Sequence, residues 1–541
     1  MRLAALLAVA GLGLSVAAAA DAARPAAQPL GARLEALAAG ERLEIAGEVL
    51  AASRIVPRVY AATGRRLLWQ DPERFAALLE TIDGAADDGL RPEHYHVRAL
   101  RRLAAAGGRG VDADLLATDG YVMLLYDLYV GRVDPVAIEP NWNVPGQRLR
   151  EQQALEFVIG AVASGQIREA AARARPDYYL YGLGRAVLVH YRDIQHAGGW
   201  GAVARGPKLE PGARDARVPA LRRRLAVTGD YDGPPGDSPE YDPALVAAVR
   251  VFQRRHLLTA DGEVGATTLR ELNVPVEARI DQLRINLERG RWVLHEIGDA
   301  DLLVVDIAGY GVRFLRHHNV VWRARAIVGQ PYRETPVFRA EIENVVFNPT
   351  WTVPPGILAR DVLPQMQRGE NVLERKQLKV FDRDGAPVDP STIRWSDYTA
   401  GSFPYVLRQD AGEDNALGRV KINFPNPYLV YLHDTPARSL FDRSQRTFSS
   451  GCIRLERPLE LVELLLADPA NWSAAAIRAA VDAGTTRTVT LSHRVPVLLI
   501  YWTADVDADG RIVFKRDVYR RDARLLRALN GRFSFATHAR A

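Results

Sequence analysis

The 541-residue chain contains one cysteine, Cys452, so no disulfide can form within it. It also lacks an excess of charge of one sign: 70 lysine and arginine residues against 65 aspartate and glutamate residues give a net charge of +5. Nucleic-acid-binding proteins usually show a basic stripe or a recognisable module, so we expect no nucleic-acid partner. A small positive excess is compatible with an anionic polymer as partner.

Long apolar runs are absent except at the N-terminus, where residues 3–16 are predominantly apolar. Arg2 precedes this run and the small residues Ala18–Ala20 follow it. This order predicts a secretory signal peptide over residues 1–20. The run is short for a membrane-spanning helix of roughly 20 residues, so we expect membrane contact only if the segment stays uncleaved. Export also suits a single cysteine, which would stay unpaired in an oxidising compartment.

Composition and length are those of a multidomain globular protein. The chain is 48% hydrophobic and 25% charged, which is typical of folded domains, and its length predicts about three or four of them. Between residues 31 and 200, apolar residues recur at helical spacing, as at Phe75, Leu78 and Ile82. We predict a helical domain over residues 31–200, in which no catalytic pattern is visible.

Residues 205–275 have the pattern of a small separate unit. Three short helices are predicted there, separated by stretches rich in glycine, proline and aspartate. The second helix, residues 243–256, carries its apolar residues on one face. Such a unit either binds a ligand or serves only as a packing module. A linking helix is predicted to follow over residues 276–294.

The pattern changes to strands at about residue 298. Apolar runs such as Leu302–Ile307, bounded by glycine and proline turns, predict a β-rich sandwich or barrel. Residues 355–418 interrupt these strands, and loops of this length are usually functional or disordered. The C-terminal part of the chain has the pattern of a strand, a turn, a second strand and a helix. The predicted fold class is therefore multidomain α+β.

The candidate nucleophile is Cys452, which follows a tight turn at Ser449-Ser450-Gly451. A free thiol has a pKa of about 8.5 and needs a base to ionise near neutral pH. His433 follows the strand-like run Tyr428–Leu432, and a returning loop between two strand ends could bring its imidazole beside the sulfur. The alternative is that Cys452 is a small apolar residue of the core.

Two nearby features favour a thiolate at Cys452. A helix predicted over residues 458–466 begins shortly after it, and the positive end of the helix dipole favours an anion. Arg454 places a cation two residues away, although this side chain could instead form a structural salt bridge.

The histidine pairs of the chain do not suggest a metal centre. His94 and His96, and likewise His317 and His318, lack a nearby set of carboxylate or cysteine ligands. We expect structural roles for these four residues, and no metal or organic cofactor.

Two motifs carry a family resemblance. His433-Asp434-Thr435-Pro436, followed by SSGCIR at residues 449–454, resembles the signature of L,D-transpeptidase catalytic domains of the YkuD type. The form here is similar to that of the large, YcbB-like periplasmic members. Many relatives carry histidine immediately before the Gly-Cys pair, where this chain has Ser450. This departure suits the large subgroup and favours His433 as the base.

The resemblance implies a domain order. It identifies residues 31–200 as a helical scaffold domain and residues 205–275 as a three-helix peptidoglycan-binding-like domain. It implies a β-sandwich-like catalytic domain over residues 298–490, with residues 355–418 as a capping loop over the active site. The C-terminal extension, residues 491–541, is expected to pack on the scaffold.

The resemblance also implies the chemistry. Cys452 would be the nucleophile and His433 the proton donor and acceptor. The backbone N–H of Cys452, with that of Gly451 or a neighbour, would stabilise the oxyanion. The backbone carbonyl of Asp434 would orient His433, with the Asp434 side chain as the competing candidate.

The implied substrate is a peptidoglycan tetrapeptide stem. Its third residue would form a thioester with loss of the terminal D-alanine, and an amine of a neighbouring stem would accept the acyl group in a 3→3 cross-link. The implied location is the periplasm, in contact with peptidoglycan peptide and glycan, and carbapenems would acylate the same sulfur. No protein partner is predicted. The candidate substrate-binding residues are Arg454, Ser450, Tyr431, Trp351 and Asn423.

Three interpretations remain open at this point. The first is a cysteine transpeptidase that cross-links the cell wall. The second keeps the thioester but uses water or a protein amine as acceptor, which gives a carboxypeptidase or an enzyme that attaches proteins to the wall. The third is a non-catalytic wall-binding protein with a buried Cys452.

Overall fold

The computed structural model describes residues 29–144, 151–234, 236–507 and 510–533. The signal segment predicted for residues 1–20 lies outside them. The described chain begins with a helical region, continues through a small three-helix unit, and ends in a sheet-rich region. The α+β fold class predicted from the sequence is therefore confirmed.

The N-terminal region is helical apart from a short hairpin. Its helix α5 lies at the centre of the core, with nearly all of its side chains buried. Helix α3 begins where the Asp71 side chain accepts a hydrogen bond from the N–H of Glu73, with Pro72 in the first turn. The elements are α1 (Leu30–Ala38), β1 (Glu44–Ile45), β2 (Glu48–Val49), α2 (Val56–Ala62), α3 (Pro72–Asp83), α4 (Val97–Ala105), α5 (Val111–Tyr129), α6 (Pro135–Ile138), α7 (Glu151–Ser164), α8 (Ile167–Ala174) and α9 (Tyr179–His196).

The three-helix unit has a hydrophobic core of its own. Leu221, Val249 and Phe252 are fully buried in it, and the Asp242 side chain caps the second helix by accepting from the N–H of Leu245. A long, largely buried helix then leads to the sheet. These elements are α10 (Val218–Val227), α11 (Pro243–Arg255), α12 (Ala266–Leu272) and α13 (Val276–Val293).

The sheet-rich region contains the remaining strands and helices. They are β3 (Leu302–Asp306), β4 (Gly311–Arg316), β5 (Asn319–Gly329), β6 (Phe338–Phe347), β7 (Trp351–Thr352), α14 (Pro355–Ile357), α15 (Leu363–Gln367), α16 (Val372–Arg375), β8 (Leu378–Phe381), β9 (Val406–Gln409), β10 (Val420–Asn423), β11 (Leu432–His433), β12 (Thr447–Ser449), β13 (Ile453–Leu455), α17 (Pro458–Leu466), α18 (Ala474–Asp482), β14 (Arg487–Ile500), β15 (Ala504–Val506), β16 (Ile512–Phe514) and α19 (Asp522–Leu529).

The central sheet curls back on itself through its long strand β5. Its strand order is β12-β5-β13-β11-β10-β6-β14-β3-β4, and β4 also pairs with β5. The first part of β5 pairs with β4, whereas its last residues pair with β13 and β12. Apolar side chains of the strands and of α17 and α18 fill a common core. The short strands β11 and β13 lie side by side in this sheet.

The insertion at residues 355–418 is a small subdomain, whereas its polar, turn-rich composition suggested a loop. Strands β7, β9 and β8 form a separate antiparallel sheet. A distinct hydrophobic cluster, which includes Trp351, Val362 and Leu407, holds the subdomain together. Because its apolar residues are spread thinly among turns, no single stretch of sequence reveals this core.

The C-terminal extension starts after β14. That strand runs to Ile500 and pairs with β6 and β3, so the expected boundary at residue 491 falls inside a strand of the central sheet. Beyond it, α19 packs on α13, with Leu525 and Leu529 buried in the same core as the N-terminal helices. Among the described helices, none has both the length and the apolar character needed to span a membrane.

Candidate active site

The two predicted catalytic side chains lie on neighbouring strands. Strands β11 and β13 pair in parallel, with Leu432 opposite Ile453 and His433 opposite Arg454. Side chains that are opposite each other, or two residues apart on one strand, point to the same face of a sheet. Cys452 directly precedes β13, so its side chain shares a face with His433 and with Tyr431.

Tyr431 lies beside both the thiol and the imidazole. Burial and the nearby Cys452 thiol raise the pKa of Tyr431 above its ordinary value, and its ring centroid lies 5.7 Å from that of His433. The half-buried Cys452 Sγ also lies 3.7 Å from the carbonyl oxygen of Leu429. Within the described residues no hydrogen bond joins His433 to the sulfur. In this structure the sulfur thus hydrogen-bonds to the Leu429 carbonyl and not to the imidazole.

Burial keeps the thiol protonated in this arrangement. It raises the pKa of Cys452 above its ordinary value, although the hydrogen bonds from Tyr431 and the nearby Lys421 and Arg454 cations lower it in part. The resting site therefore contains a neutral thiol that needs a base.

His433 is held as a neutral imidazole. Its Nδ1 donates to the backbone carbonyl of Asp434 at 2.5 Å, which leaves Nε2 as the basic nitrogen. Burial, followed by the cations of Arg454 and Lys421, lowers the pKa of His433 to about 3 against the opposing effect of the Asp434 and Leu417 carbonyls. The histidine is thus in the form that can accept a proton.

The Asp434 side chain points elsewhere. Its carboxylate pairs with Arg438 at 2.5 Å and accepts from the backbone N–H of Arg419 at 2.9 Å. The backbone carbonyl, and not this carboxylate, is the group that contacts His433. Gly418 lies close against the Asp434 side chain, and a Cβ at that glycine would approach the carboxyl carbon to 2.5 Å.

The turn before Cys452 is fixed by hydrogen bonds on both sides. The Ser449 hydroxyl donates to the carbonyl of Cys452 at 2.6 Å and accepts from the N–H of Gly451 at 3.2 Å. The Thr335 hydroxyl donates to the carbonyl of Gly451 at 2.8 Å. Gly451 has φ 114°, a conformation that side chains rarely adopt. The geometry of the turn therefore depends on Thr335, 116 residues away in sequence.

Two backbone N–H groups of this turn differ in availability. The N–H of Gly451, predicted as an oxyanion donor, is engaged by Ser449. For the N–H of Cys452, the described part of the chain supplies no hydrogen-bond acceptor. The peptide unit that carries this N–H is the one whose carbonyl Thr335 holds. The Cys452 N–H is thus the available oxyanion donor in the turn.

Ser450 connects the turn to the insertion. Its hydroxyl accepts from Arg333 at 2.9 Å, and the same guanidinium binds Asp361 of the insertion through two contacts of 2.5 and 2.8 Å. Trp351, in β7, belongs to the hydrophobic cluster of the insertion. Tyr431 packs against the hydrophobic cluster of the insertion. The insertion therefore contacts two residues next to the thiol, Ser450 through Arg333 and Tyr431 through its hydrophobic cluster.

The remaining predicted substrate-binding residues differ in position. Arg454 shares the face of His433. Asn423 lies on the same face of β10 as Lys421, but its amide donates to Asn344 at 2.9 Å. The roles predicted for both remain predictions.

Sequence reasoning did not single out Lys421, Thr335 or Arg333. Alternation in Val420–Asn423 does place Lys421 on the polar face of a strand, but the sequence does not show which strand lies beside it.

Within the described ranges, no group of three or more histidine, cysteine, aspartate or glutamate side chains could hold a metal ion.

Comparison with known families identifies three parts of the chain. Residues 300–490 match the L,D-transpeptidase catalytic domain, YkuD. The chain carries an L,D-transpeptidase catalytic domain. Residues 214–272 match a "Putative peptidoglycan binding domain", and residues 54–188 match a scaffold domain. The family predicted from the HDTP and SSGCIR motifs is therefore confirmed, and the domains associate the chain with the cell wall.

A curated relative supports this family. The chain is 36% identical over 223 residues to a "Putative L,D-transpeptidase" from Haemophilus influenzae, which covers 41% of this chain. The match spans 45% of the relative, less than half of its length.

Two solved structures of L,D-transpeptidases also match in part. The LD transpeptidase LdtMt1 in complex with imipenem is 18% identical, with 38% of this chain and 60% of that chain covered and a TM-score of 0.17. Mycobacterium tuberculosis L,D-transpeptidase 1 is 16% identical, with 38% and 62% covered and a TM-score of 0.15.

Proposed function

We propose that the chain is a cysteine L,D-transpeptidase that acts on peptidoglycan stem peptides at the cell wall, in the periplasm. The observation that carries this proposal is the shared sheet face of Cys452 and His433, with the imidazole oriented by the Asp434 carbonyl at 2.5 Å. A third group, the N–H of Cys452, has no acceptor within the described residues. Nucleophile, base and oxyanion donor are the parts that acyl transfer requires.

The reaction begins with proton transfer from the Cys452 thiol to Nε2 of His433. The nearby Tyr431, which lowers the pKa of Cys452 against the effect of burial, stabilises the thiolate. The sulfur attacks the carbonyl carbon of the third stem residue, and the negative oxygen of the tetrahedral intermediate accepts from the Cys452 N–H. The intermediate collapses to a thioester as the amine of the terminal D-alanine leaves with the proton from His433.

The second half reverses the roles. His433, again neutral, takes a proton from the amine of a neighbouring stem as that amine attacks the thioester carbon. The new amide forms, and the thiolate leaves and is protonated. This step yields a 3→3 cross-link. Water at the same position would give a carboxypeptidase, and a protein amine would give attachment of that protein to the wall.

The insertion favours transfer over hydrolysis in this proposal. Its Asp361 is linked to the active-site turn through Arg333, and its hydrophobic cluster, which includes Trp351, packs against Tyr431 beside the thiol. A cover that excludes bulk water lets a bound amine compete with a much more abundant nucleophile.

Covalent labelling tests the nucleophile first. Intact mass spectrometry after exposure to imipenem should show one adduct on the wild-type protein, none on Cys452→Ala, and slow formation on His433→Gln. A wild-type protein that forms no adduct although it is folded by circular dichroism would support a non-catalytic wall-binding protein.

Product analysis then identifies the acceptor. Purified protein is incubated with a tetrapeptide-containing disaccharide, and the products are separated by liquid chromatography and mass spectrometry. Dimers joined between the third residues are expected. Tripeptide alone would show that water is the acceptor and would refute the cross-linking proposal, while Cys452→Ala controls for chemistry elsewhere in the chain.

A further inference from the structure

Three side chains form one row across the sheet beside the thiol. Lys421 in β10 lies opposite His433, and His433 lies opposite Arg454 in β13. All three point to the face that carries Cys452 and Tyr431. Two cations thus flank the imidazole, and both also act on the sulfur.

Neither cation has a counter-charge in the part of the chain that the structure describes. Lys421 and Arg454 form no ion pair there, and the buried Nε of Arg454 has no hydrogen-bond partner. Lys421 Nζ lies 4.2 Å from the ring centroid of Tyr431. Asp434, at the end of β11, is occupied by Arg438 and the N–H of Arg419.

Several buried cations of this protein are paired with a carboxylate, and the buried Arg224, which is not, donates instead to the Leu272 carbonyl and the Thr228 hydroxyl. Arg291 is bound by Glu288, Arg255 by Asp230, and Lys515 by Asp306. A charge removed from water is costly unless an opposite charge compensates it. Within the described residues Lys421 and Arg454 have neither a carboxylate nor a hydrogen-bond acceptor, which favours an anion supplied from outside the chain.

We propose that Lys421 and Arg454 form a subsite for a carboxylate of the peptide substrate. This inference rests on the proposed function, because it takes the substrate to be a stem peptide. Such a peptide offers two carboxylates near the scissile bond: the terminal carboxylate of the leaving residue and the carboxylate on the side chain of a diamino acid. Both have the chemistry that two unpaired cations recognise.

The subsite also couples substrate binding to the base. The two cations disfavour a proton on His433. A carboxylate bound between them cancels part of this field, so the imidazole becomes a stronger base when substrate is present. If the two cations only stabilised the thiolate, they would face a single negative charge, which could balance only one of them.

Alkylation of Cys452 tests the subsite without assuming any enzymatic activity. Iodoacetate carries a carboxylate and iodoacetamide does not, so the ratio of their rates, normalised to that of a free cysteine peptide, reports attraction of the anion. We expect the wild-type ratio to be raised by about tenfold or more and to fall to near one in Lys421→Met. Arg454→Gln should lower it in the same direction, which covers the case that one variant fails to fold. Lys379→Met, at an exposed lysine of the insertion, should leave the ratio unchanged.

Two results of this test would overturn the proposal. One is a wild-type ratio equal to that of the free peptide. The other is a ratio that stays raised in both variants. If Lys421→Met slows both reagents equally, the cations serve the thiolate and not a carboxylate.

Amidated substrates identify which carboxylate binds. Three tetrapeptide stems are compared as acyl donors: the free acid, the terminal carboxamide, and the stem with an amidated diamino-acid carboxylate. The amide at the recognised position should lower kcat/KM in the wild type by about tenfold or more, and Lys421→Met should lose this discrimination. If no stem acylates Cys452 but iodoacetate is still preferred, the proposed function fails while the anion subsite stands. If stems acylate without discrimination, the subsite fails while the function stands.

Discussion

Thr335→Val should weaken both the fold and the acylation rate, because one hydroxyl supports the peptide unit beside the nucleophile. Thr335 is fully buried. Its Oγ1 accepts from the N–H of Gly329 at 2.9 Å and donates to the carbonyl of Gly451 at 2.8 Å. Valine has nearly the same shape but neither hydrogen bond. The substitution leaves a backbone donor and a backbone acceptor without their partner.

The expected loss of stability follows from these two groups. An unsatisfied buried donor or acceptor costs about 1–3 kcal/mol, so the loss of two partners in Thr335→Val should lower the free energy of unfolding by about 2–6 kcal/mol. The carbonyl of Gly451 belongs to the same peptide unit as the N–H of Cys452. Released from Thr335, that unit can turn and carry the oxyanion donor out of position. Loss of such a donor typically lowers rates by about 100- to 1000-fold, and partial misplacement should lower acylation by about tenfold or more.

Urea unfolding and the rate of imipenem adduct formation measure the two effects separately. Thr335→Ser keeps the hydroxyl, so it should keep most of the acylation rate despite the lost methyl group. The Tyr519 hydroxyl donates to the carbonyl of Gly329 at 2.6 Å and accepts from the N–H of Thr335 at 3.2 Å. Tyr519→Phe removes this hydroxyl, so its free energy of unfolding should resemble that of Thr335→Val. A Thr335→Val protein that is destabilised but acylates at the wild-type rate would refute the link between this hydroxyl and the oxyanion donor.

Three further predictions concern other contacts of the same region. Arg333→Met breaks the contact with Asp361, so hydrogen exchange in residues 355–367 should speed up; unchanged exchange would show that other contacts hold the insertion. Folding lowers the pKa of His433 from its ordinary 6.5 to about 3, so the unfolded chain binds the proton first as the pH falls. The free energy of unfolding of the wild type relative to His433→Gln should therefore decline by about 1.4 kcal/mol per pH unit from pH 6 to pH 4. Urea titration measures this difference, and a difference that does not change with pH would contradict the lowered pKa. Lys515→Met leaves the Asp306 carboxylate buried without its amine partner and should lower the free energy of unfolding by about 3–5 kcal/mol in the same assay. A decrease below about 1 kcal/mol would show that the ion pair behaves like an exposed one.

The sequence pointed to the parts of the candidate site that are local in the chain. Cys452, His433 and the turn at Ser449–Gly451 belong to two short motifs, whereas the Asp434 carbonyl was implied only by the family resemblance, with the Asp434 side chain as the alternative. The helical region was predictable because its apolar residues repeat at the helical period. The strands were predictable from apolar runs between glycine and proline turns.

Contacts between distant segments could not be predicted in this way. Lys421 becomes part of the site only through the register of β10 with β11, which the sequence of either strand leaves open. Thr335 reaches Gly451 across 116 residues, and a threonine between strands has no distinguishing pattern. The core of the insertion could not be predicted for the same reason, since it is assembled from apolar residues scattered between Trp351 and Leu417.

The support of the active-site turn extends beyond the catalytic domain that the family comparison delimits. Tyr519 lies after residue 490, yet it holds both Gly329 and Thr335. Two residues later, Arg521 joins Glu139 of the N-terminal helical region to Glu334, the neighbour of Thr335. A continuous set of contacts therefore runs from the helical region through the C-terminal extension to the peptide unit that carries the Cys452 N–H. The C-terminal extension therefore supports the turn of the candidate active site, because it links that turn to the helical region on which the extension packs.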